Sequence, residues 1–258
     1  MGNGRWRCAE CRTDRRVTVG TLFQDSHLSL KTWLYAVWWI TAQKTGVSAL
    51  GLQGILGLGS YRTAWLMLHK IRKAMVRVDR TLLHTEVEVD ETLLGGVLSK
   101  KRGRDRESKM LVVIAAEIDG KKIGRIRMKH ISDASTTMLH SFITEHVEKG
   151  TLIHTDGWTG YFGLKDKGFL HDRVWGDAVS VDDVLPHIHL VISLFKRWLL
   201  GTHQGKVNRK YLDNYLEEFT FRFNRRTSKA RGLLFYRVLE NVVVTQPNTY
   251  KQITMRKN

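Results

Sequence analysis

Cysteine is nearly absent from this chain: 258 residues hold two, Cys8 and Cys11. Two cysteines cannot build a disulfide scaffold, and their tight spacing points to metal instead. Long apolar runs are missing as well. The longest, Trp33–Ala42, is about half of the ~20 residues that a membrane-crossing helix needs. No apolar segment follows Arg5, Arg7, Arg12, Arg15 and Arg16, so no secretory leader is expected. No internal repeat, low-complexity tract, lipidation signal or amphipathic basic helix is visible. Negative charge is scarce: 25 Asp+Glu stand against 42 Lys+Arg, a formal net charge of +17. These absences lead to the expectation of a soluble, cytoplasmic protein with no membrane partner.

What is present is apolar enough to fold. Hydrophobic residues make up 42%, sufficient for one sizeable core, or a core with a small satellite domain. Global disorder is excluded by that content. A charge this one-sided attracts polyanions, and nucleic acid is the first candidate. The bland alternative is a merely solvated basic surface. Eight Trp and a mixed strand and helix pattern suit an enzyme better than a ribosomal or histone-like protein.

Met1–Phe23 is basic and carries Cys8-Ala-Glu-Cys11. Two thiolates at this spacing have the bite of half a tetrahedral zinc site. Four ligands are needed and no second C-x-x-C exists, so the pair reads as half a zinc ribbon or as two free thiols. From Leu28 to Met75 the chain reads as helices. The first opens near Ser29 and is broken by Gly46. Ser48 caps a short one, Ala49–Leu56. Gly57-Leu58-Gly59 is a turn, and Ser60 caps a longer helix running to Met75. That helix is expected to expose Arg62, His69, Lys70, Arg72 and Lys73. Two helices joined by a glycine turn, the second basic, fit a DNA-binding helix-turn-helix. An ordinary helical hairpin is the alternative.

After Val76 the pattern changes. Glu86–Asp90 alternates with period two and predicts a strand. Lys100–Lys109 is a basic loop. Met110–Ile118 is continuously apolar, as in a fully buried strand. Asp119-Gly120 is a hairpin signal, and Lys122–Ile131 is the partner strand. Ser132–Ser135 starts a helix running to about Glu148 and ended by Gly150. Leu152–Asp156 is a short strand, and Pro186 opens a later helix.

This order places two aspartates. In a three-stranded meander followed by a helix and a parallel strand, the first and fourth strands are neighbours. Asp90 and Asp156 then share one sheet end, where two carboxylates can hold divalent cations. Two cations would polarise a phosphodiester and activate a water or 3′-hydroxyl. Either aspartate alone reads as a turn former. A third ligand should come from the helix after Pro186, where His187 and His189 are the candidates. His189 lies beside its apolar stripe, whereas His187 shares a face with Val191, Leu194 and Trp198 and reads as packed. Asp182 and Asp183, before the helix, are alternatives. Histidine suits manganese better than magnesium. Lys196 follows His189 by about two turns and can reach a phosphate. Trp158 is placed to stack on a base or to pack under the site. Glu91 points to the opposite face of its strand from Asp90 and is not counted as a ligand.

Several motifs occur together in order: Val87-Glu88-Val89-Asp90-Glu91-Thr92 with Gly95-Gly96, His154-Thr155-Asp156-Gly157-Trp158 with Gly160-Tyr161, and Lys196-Arg197-Trp198 followed by Phe223-Asn224-Arg225-Arg226. They resemble bacterial insertion-sequence transposases, in the family numbered fifteen ninety-five. Gly20-Thr21-Leu22-Phe23, Lys44–Ser48 and Thr63-Ala64-Trp65 resemble that family's zinc-ribbon and helix-turn-helix region, so the likeness spans nearly the whole chain. It implies an α/β fold: an RNase H-like DDE-type catalytic domain, a mixed sheet flanked by helices, preceded by a small all-α helix-turn-helix domain. The implied division is a partial zinc ribbon over 1–27, the helix-turn-helix over 28–80, the catalytic domain over 81–245 and a tail over 246–258.

The resemblance further implies metal-dependent cleavage at terminal inverted repeats and strand transfer to target DNA, with two Mg or Mn ions. Asp90 and Asp156 match the first and second catalytic aspartates. His189 falls where the family usually has Glu, and Lys196 matches the basic residue that follows on that helix. Arg62, Lys70, Arg72, Lys73, Trp158, Lys196 and Arg197 are the expected DNA contacts. Family members usually carry an earlier C-x-x-C; this chain starts too late to include it, so Cys8 and Cys11 alone are not expected to hold zinc tightly. A homo-oligomer assembled on DNA and association with the nucleoid are expected by analogy. The competing readings are a decayed or domesticated transposase that only binds DNA, and a stand-alone RNase H-like nuclease, against which the helix-turn-helix argues.

Overall fold

The computed structural model describes residues 5–75, 80–95, 109–174, 184–205, 207–247 and 249–254. The chain forms two compact units, Met1–Val78 with Ser228–Asn258, and Asp79–Thr227. Among the described residues no helix is long and apolar enough to cross a membrane.

The first unit opens with β1 (Arg5–Arg7) and β2 (Asp14–Arg16), an antiparallel pair exposed throughout. Arg7 clamps Asp14 through hydrogen bonds of 2.7 and 3.2 Å. Three helices follow. Ser29 caps α1 (Leu30–Ala42) by accepting the Thr32 N–H. Ser48 caps α2 (Ala49–Leu56) in the same way from Gly51, and Gly57, at φ +60°, ends it in the left-handed conformation. Ser60 stands at the N-cap of α3 (Tyr61–Ala74), but its hydroxyl makes no capping bond.

The second unit holds the sheet. β3 (Glu86–Leu94), β4 (Met110–Asp119) and β5 (Lys122–Ile131) form the meander that the alternation and the Asp119-Gly120 turn predict. α4 (Thr136–His146) then crosses to β6 (Leu152–Thr155), which pairs parallel to β3 with Glu88 opposite His154. A fifth strand, β7 (Leu170–Arg173), pairs parallel to β6 and went unread in the sequence. The sheet order is β5-β4-β3-β6-β7. α5 (Pro186–His203) and α6 (Leu212–Phe223) complete the unit.

The sheet is covered on both faces, which is why β4 reads as a continuous apolar run. Val112, Ile114 and Ala116 meet Ile188, Phe195 and Phe219 from α5 and α6. Val113 and Ala115 meet Leu139, Phe142 and Ile143 from α4. A mixed sheet flanked by helices results, the α/β arrangement that the resemblance implies.

The last elements, α7 (Arg231–Val244) and α8 (Tyr250–Thr254), return to the first unit. The sequence reading carried the catalytic domain to 245; the contacts end that unit at Thr227. The reason is packing, because α7 lies against α1 and α3. Asn241 donates to the Ala74 carbonyl at 2.9 Å, and Leu22 donates its N–H to the Val242 carbonyl.

Candidate active site

β3 sends alternate side chains to opposite faces. Val87 and Val89 pack on the α4 side, so Glu88 and Asp90 face α5. Continuing the parallel register with β6 by two residues sets Asp90 beside Asp156. Asp156 is anchored just beyond the strand, where its Oδ1 accepts the Trp158 N–H at 3.0 Å. Asp90 Oδ1 accepts the Glu91 N–H at 2.7 Å. Its other oxygen lies 3.4 Å from His189 Nε2, in the first turn of α5. Burial is the largest influence on the Asp90 carboxyl and pushes its pKa up; the neighbouring charge of Asp156 pushes the same way, while His189 and the Glu91 N–H oppose them.

His187 is engaged elsewhere. Its Nδ1 is 2.7 Å from Glu88 Oε1, and Glu88 Oε2 accepts the Ile188 N–H at 2.7 Å. The two histidines therefore divide their partners: His187 meets Glu88, and His189 meets Asp90. Asp182 and Asp183 lie outside the described residues, as does most of the basic loop. Lys196 and Arg197 are exposed further along α5.

Trp158 is 50% exposed, and its indole N–H donates to the Ala134 carbonyl at 2.9 Å. One edge of the ring is thus held by protein while much of its surface stays open. Gly160 is built into that corner. A Cβ there would meet Ala134 O at 2.6 Å, Trp158 Nε1 at 2.7 Å and Leu139 Cδ1 at 2.8 Å.

One residue near the site was missed as a participant. Glu88 is 4% exposed, an acidic side chain on an inward strand face. Its in-phase spacing with Asp90 was the available signal. Glu91 points to the α4 face, as the alternation predicts, and there neighbours the buried Tyr161. Burial, then the charge of Asp90, raises the Glu91 carboxyl to about 7.

The donor chemistry fits divalent cations: two carboxylates and an imidazole, with the Asp90 carboxyl raised chiefly by burial and further by the neighbouring charge of Asp156, which a cation would offset. Among the described residues, however, no three His, Cys, Asp or Glu side chains are gathered closely enough to share one ion.

In the first unit the exposed basic face is smaller than expected. Arg62 and Lys73 are exposed. His69 and Arg72 are each 2% exposed and Lys70 8%, which corrects the expected surface. Helix α3 packs against both α2 and α7, so a face that a two-helix hairpin would leave open is covered. Lys70 Nζ lies 5.9 Å from the Trp33 ring, and burial lowers its pKa. Arg62 stacks on the Tyr250 ring at 4.3 Å and hydrogen-bonds its hydroxyl. Cys8 and Cys11 are exposed and not disulfide-bonded, in the turn between β1 and β2. Hydrogen bonding with Thr13, then with Cys8, brings the Cys11 thiol down to about 7.

The arginines in and just after the last turn of α6 are tied into the fold. Arg222 bonds to Glu218, which is fully buried, and Arg225 stacks on Phe221 at 4.3 Å. Arg226 binds the Gly124 and Ile123 carbonyls.

Known proteins show the following similarities to this chain. A protein in transposable element ISH50 of Halobacterium salinarum, itself described as uncharacterized, is 24% identical over 237 residues, covering 84% of this chain and 78% of that protein. The BIV integrase catalytic core is 12% identical, with a TM-score of 0.36 over 56% of this chain and 84% of its own. The Mos1 strand transfer complex is 10% identical, with a TM-score of 0.35 over 86% of this chain and 80% of its own. The ISXO2-like transposase domain matches residues 82–224, more than half of the chain and nearly all of the second unit, and by that match the protein belongs to the ISXO2-like family of insertion-sequence transposases.

Proposed function

We propose that the second unit cuts and joins DNA strands at the terminal inverted repeats of its own element, with Asp90, Asp156 and His189 as ligands for Mg or Mn. The observation that carries this reading is the convergence of Asp90 and Asp156 at one end of β3 and β6, with His189 facing Asp90 at 3.4 Å. When bound, two divalent ions polarise the scissile phosphodiester and lower the pKa of the attacking oxygen. The chain's own residues orient and hold. Asp90 and Asp156 present fixed oxygens, each already carrying a backbone N–H bond. His189 closes the site from α5. Lys196 and Arg197, exposed on the same helix, hold flanking phosphates as positive charges. Trp158 offers a pinned aromatic surface on which a displaced base can stack, worth ~1–3 kcal/mol.

In the first unit, α2 and α3 act as the helix-turn-helix, with Arg62 and Lys73 as its exposed cations. Cys8 and Cys11 supply two ligands of a zinc site whose other two must come from elsewhere. Two ends must be joined, so the working form is a homo-oligomer assembled on DNA, in the cytoplasm at the nucleoid.

A second reading, a decayed transposase that only binds DNA, draws on the open spacing of the acidic side chains and the imidazole. One assay separates the two. Purified protein is mixed with a labelled terminal repeat and plasmid target in Mg²⁺ or Mn²⁺. Joined product is expected from wild type and from neither Asp156→Ala nor His189→Ala. Loss in Asp156→Ala alone would move the third ligand to Asp182 or Asp183. A folded, DNA-binding wild type that makes no product would sink the catalytic reading.

A further inference from the structure

We infer that Glu88 is a positioning residue, a buried carboxylate that caps α5 from the neighbouring strand and so sets His189 against Asp90. This rests on the catalytic reading above, and its test is built to fail separately.

The start of α5 has no cap of its own. Leu185 precedes it and offers no side-chain hydrogen bond, and Pro186 has no N–H to give. The first bond of the helical ladder runs from the His189 N–H to the Leu185 carbonyl at 3.1 Å. The N–H groups before it need partners from outside the helix. Glu88 supplies one: Oε2 accepts from Ile188 at 2.7 Å, while Oε1 meets the His187 ring at 2.7 Å. Both oxygens are thereby occupied, and the residue is 4% exposed. Glu88 is a holder of the helix rather than a ligand for an ion. A negative charge at this end also complements the helix dipole.

The contacts form two rungs between one strand and one helical turn, Glu88–His187 and Asp90–His189. Glu88 and Asp90 share a strand face about 6.6–6.8 Å apart along the chain. His187 and His189 are about 200° apart around the helix. A roll of α5 about its axis would therefore move the two rungs in opposite senses. With the first rung closed at 2.7 Å, the roll is fixed and so is the direction of His189. Lys196, seven residues on, is carried by the same roll at about 10.5 Å along the axis.

The test is Glu88→Gln in the full-length protein. The amide keeps one acceptor but turns an N–H₂ toward the second donor. Ile188 amide exchange should rise at least ten-fold, with the amides of β4 unchanged. The His189 imidazole nitrogen signals should shift. Mn²⁺ affinity without DNA should fall about 10–100-fold, as for other residues that orient a metal ligand. The metal needed for half-maximal cleavage should rise by a similar factor while the melting temperature stays close to that of wild type. If Glu88→Gln fails to fold, His187→Gln at the more exposed end of the same rung should give the same changes at smaller amplitude. Ile188 exchange and His189 signals that match wild type in a folded variant would overturn the inference. If wild type itself neither holds Mn²⁺ nor makes product, the catalytic reading falls, and the exchange and imidazole signals still decide the role of Glu88.

Discussion

Asp90 and Glu91 are adjacent in the chain and face opposite sides of one sheet. Asp90 looks toward α5 and the proposed chemistry, while Glu91 is turned toward Tyr161 in a cluster with no ligand role. Its carboxyl, raised from 4.5 to about 7, binds a proton in the fold that it releases when unfolded. Between those values the native state holds more protons than the unfolded state, so stability is full below about pH 4.5 and falls as pH rises through about 7. Glu91→Gln should remove that slope. In chelator-containing buffer the variant should be more stable than wild type at pH 8 by roughly 1–3 kcal/mol, and equal to it near pH 4.5, as melting curves would show. Gly160 makes a second test at this scale. A methyl in its corner strikes a backbone carbonyl 2.6 Å away, which cannot yield as a flexible side chain would. Gly160→Ala should cost about 1–3 kcal/mol and should free the Trp158 indole, read as a red shift and greater quenching of its fluorescence. At this scale the sequence was legible in part. Alternation gave the opposed directions of Asp90 and Glu91. It could not give Glu88–His187, because those residues are 99 positions apart and only the fold joins them.

β4 and β5 were legible because an uninterrupted apolar run and a hairpin signal are both local. β7 was not. Its four residues, Leu170–Arg173, are mostly exposed and show no alternation, so nothing in their own chemistry marks a strand. The pairing partner supplies the order. α6 shows the same dependence at its end. Asn224 accepts from the Ile126 N–H at 2.7 Å and donates to the Ile126 carbonyl at 3.1 Å, as a neighbouring strand would. With Arg226 on the Gly124 and Ile123 carbonyls, the Phe223–Arg226 motif closes the outer edge of β5. That motif enters the sequence reading only through the family resemblance; in the fold it is a clamp. Asn224→Ala should leave the Ile126 backbone groups without this partner and destabilise by roughly 1–3 kcal/mol. The melting temperature should drop by about 2–4 °C for each kcal/mol. An Asn224→Ala protein that melts with wild type would remove the clamp from the account.

For the molecule as a whole, the net charge of +17 is the property most directly exposed to measurement. Binding dominated by phosphate contacts releases counterions, so affinity should fall steeply with salt. With six or more phosphates neutralised, about a thousand-fold or greater loss is expected between 50 and 200 mM salt. Fluorescence anisotropy with a labelled duplex would show it, and a flat response would reduce the basic excess to a solvated surface. The division into units was the least legible feature. Hydrophobic spacing describes α7 as a helix equally well in either unit; only its packing on α1 and α3 assigns it.

That assignment has a consequence in time. Asp79–Thr227 is one uninterrupted stretch, and it can begin to fold as soon as it leaves the ribosome. The helical unit cannot, because α7 packs on α1 and α3 and is made only after the whole of the second unit. At 5–20 residues per second, the stretch from Ser228 through the end of α7 takes roughly one to three seconds to synthesise. During that interval the second unit has been fully synthesised, while α1 and α3 still wait for the helix that packs on them.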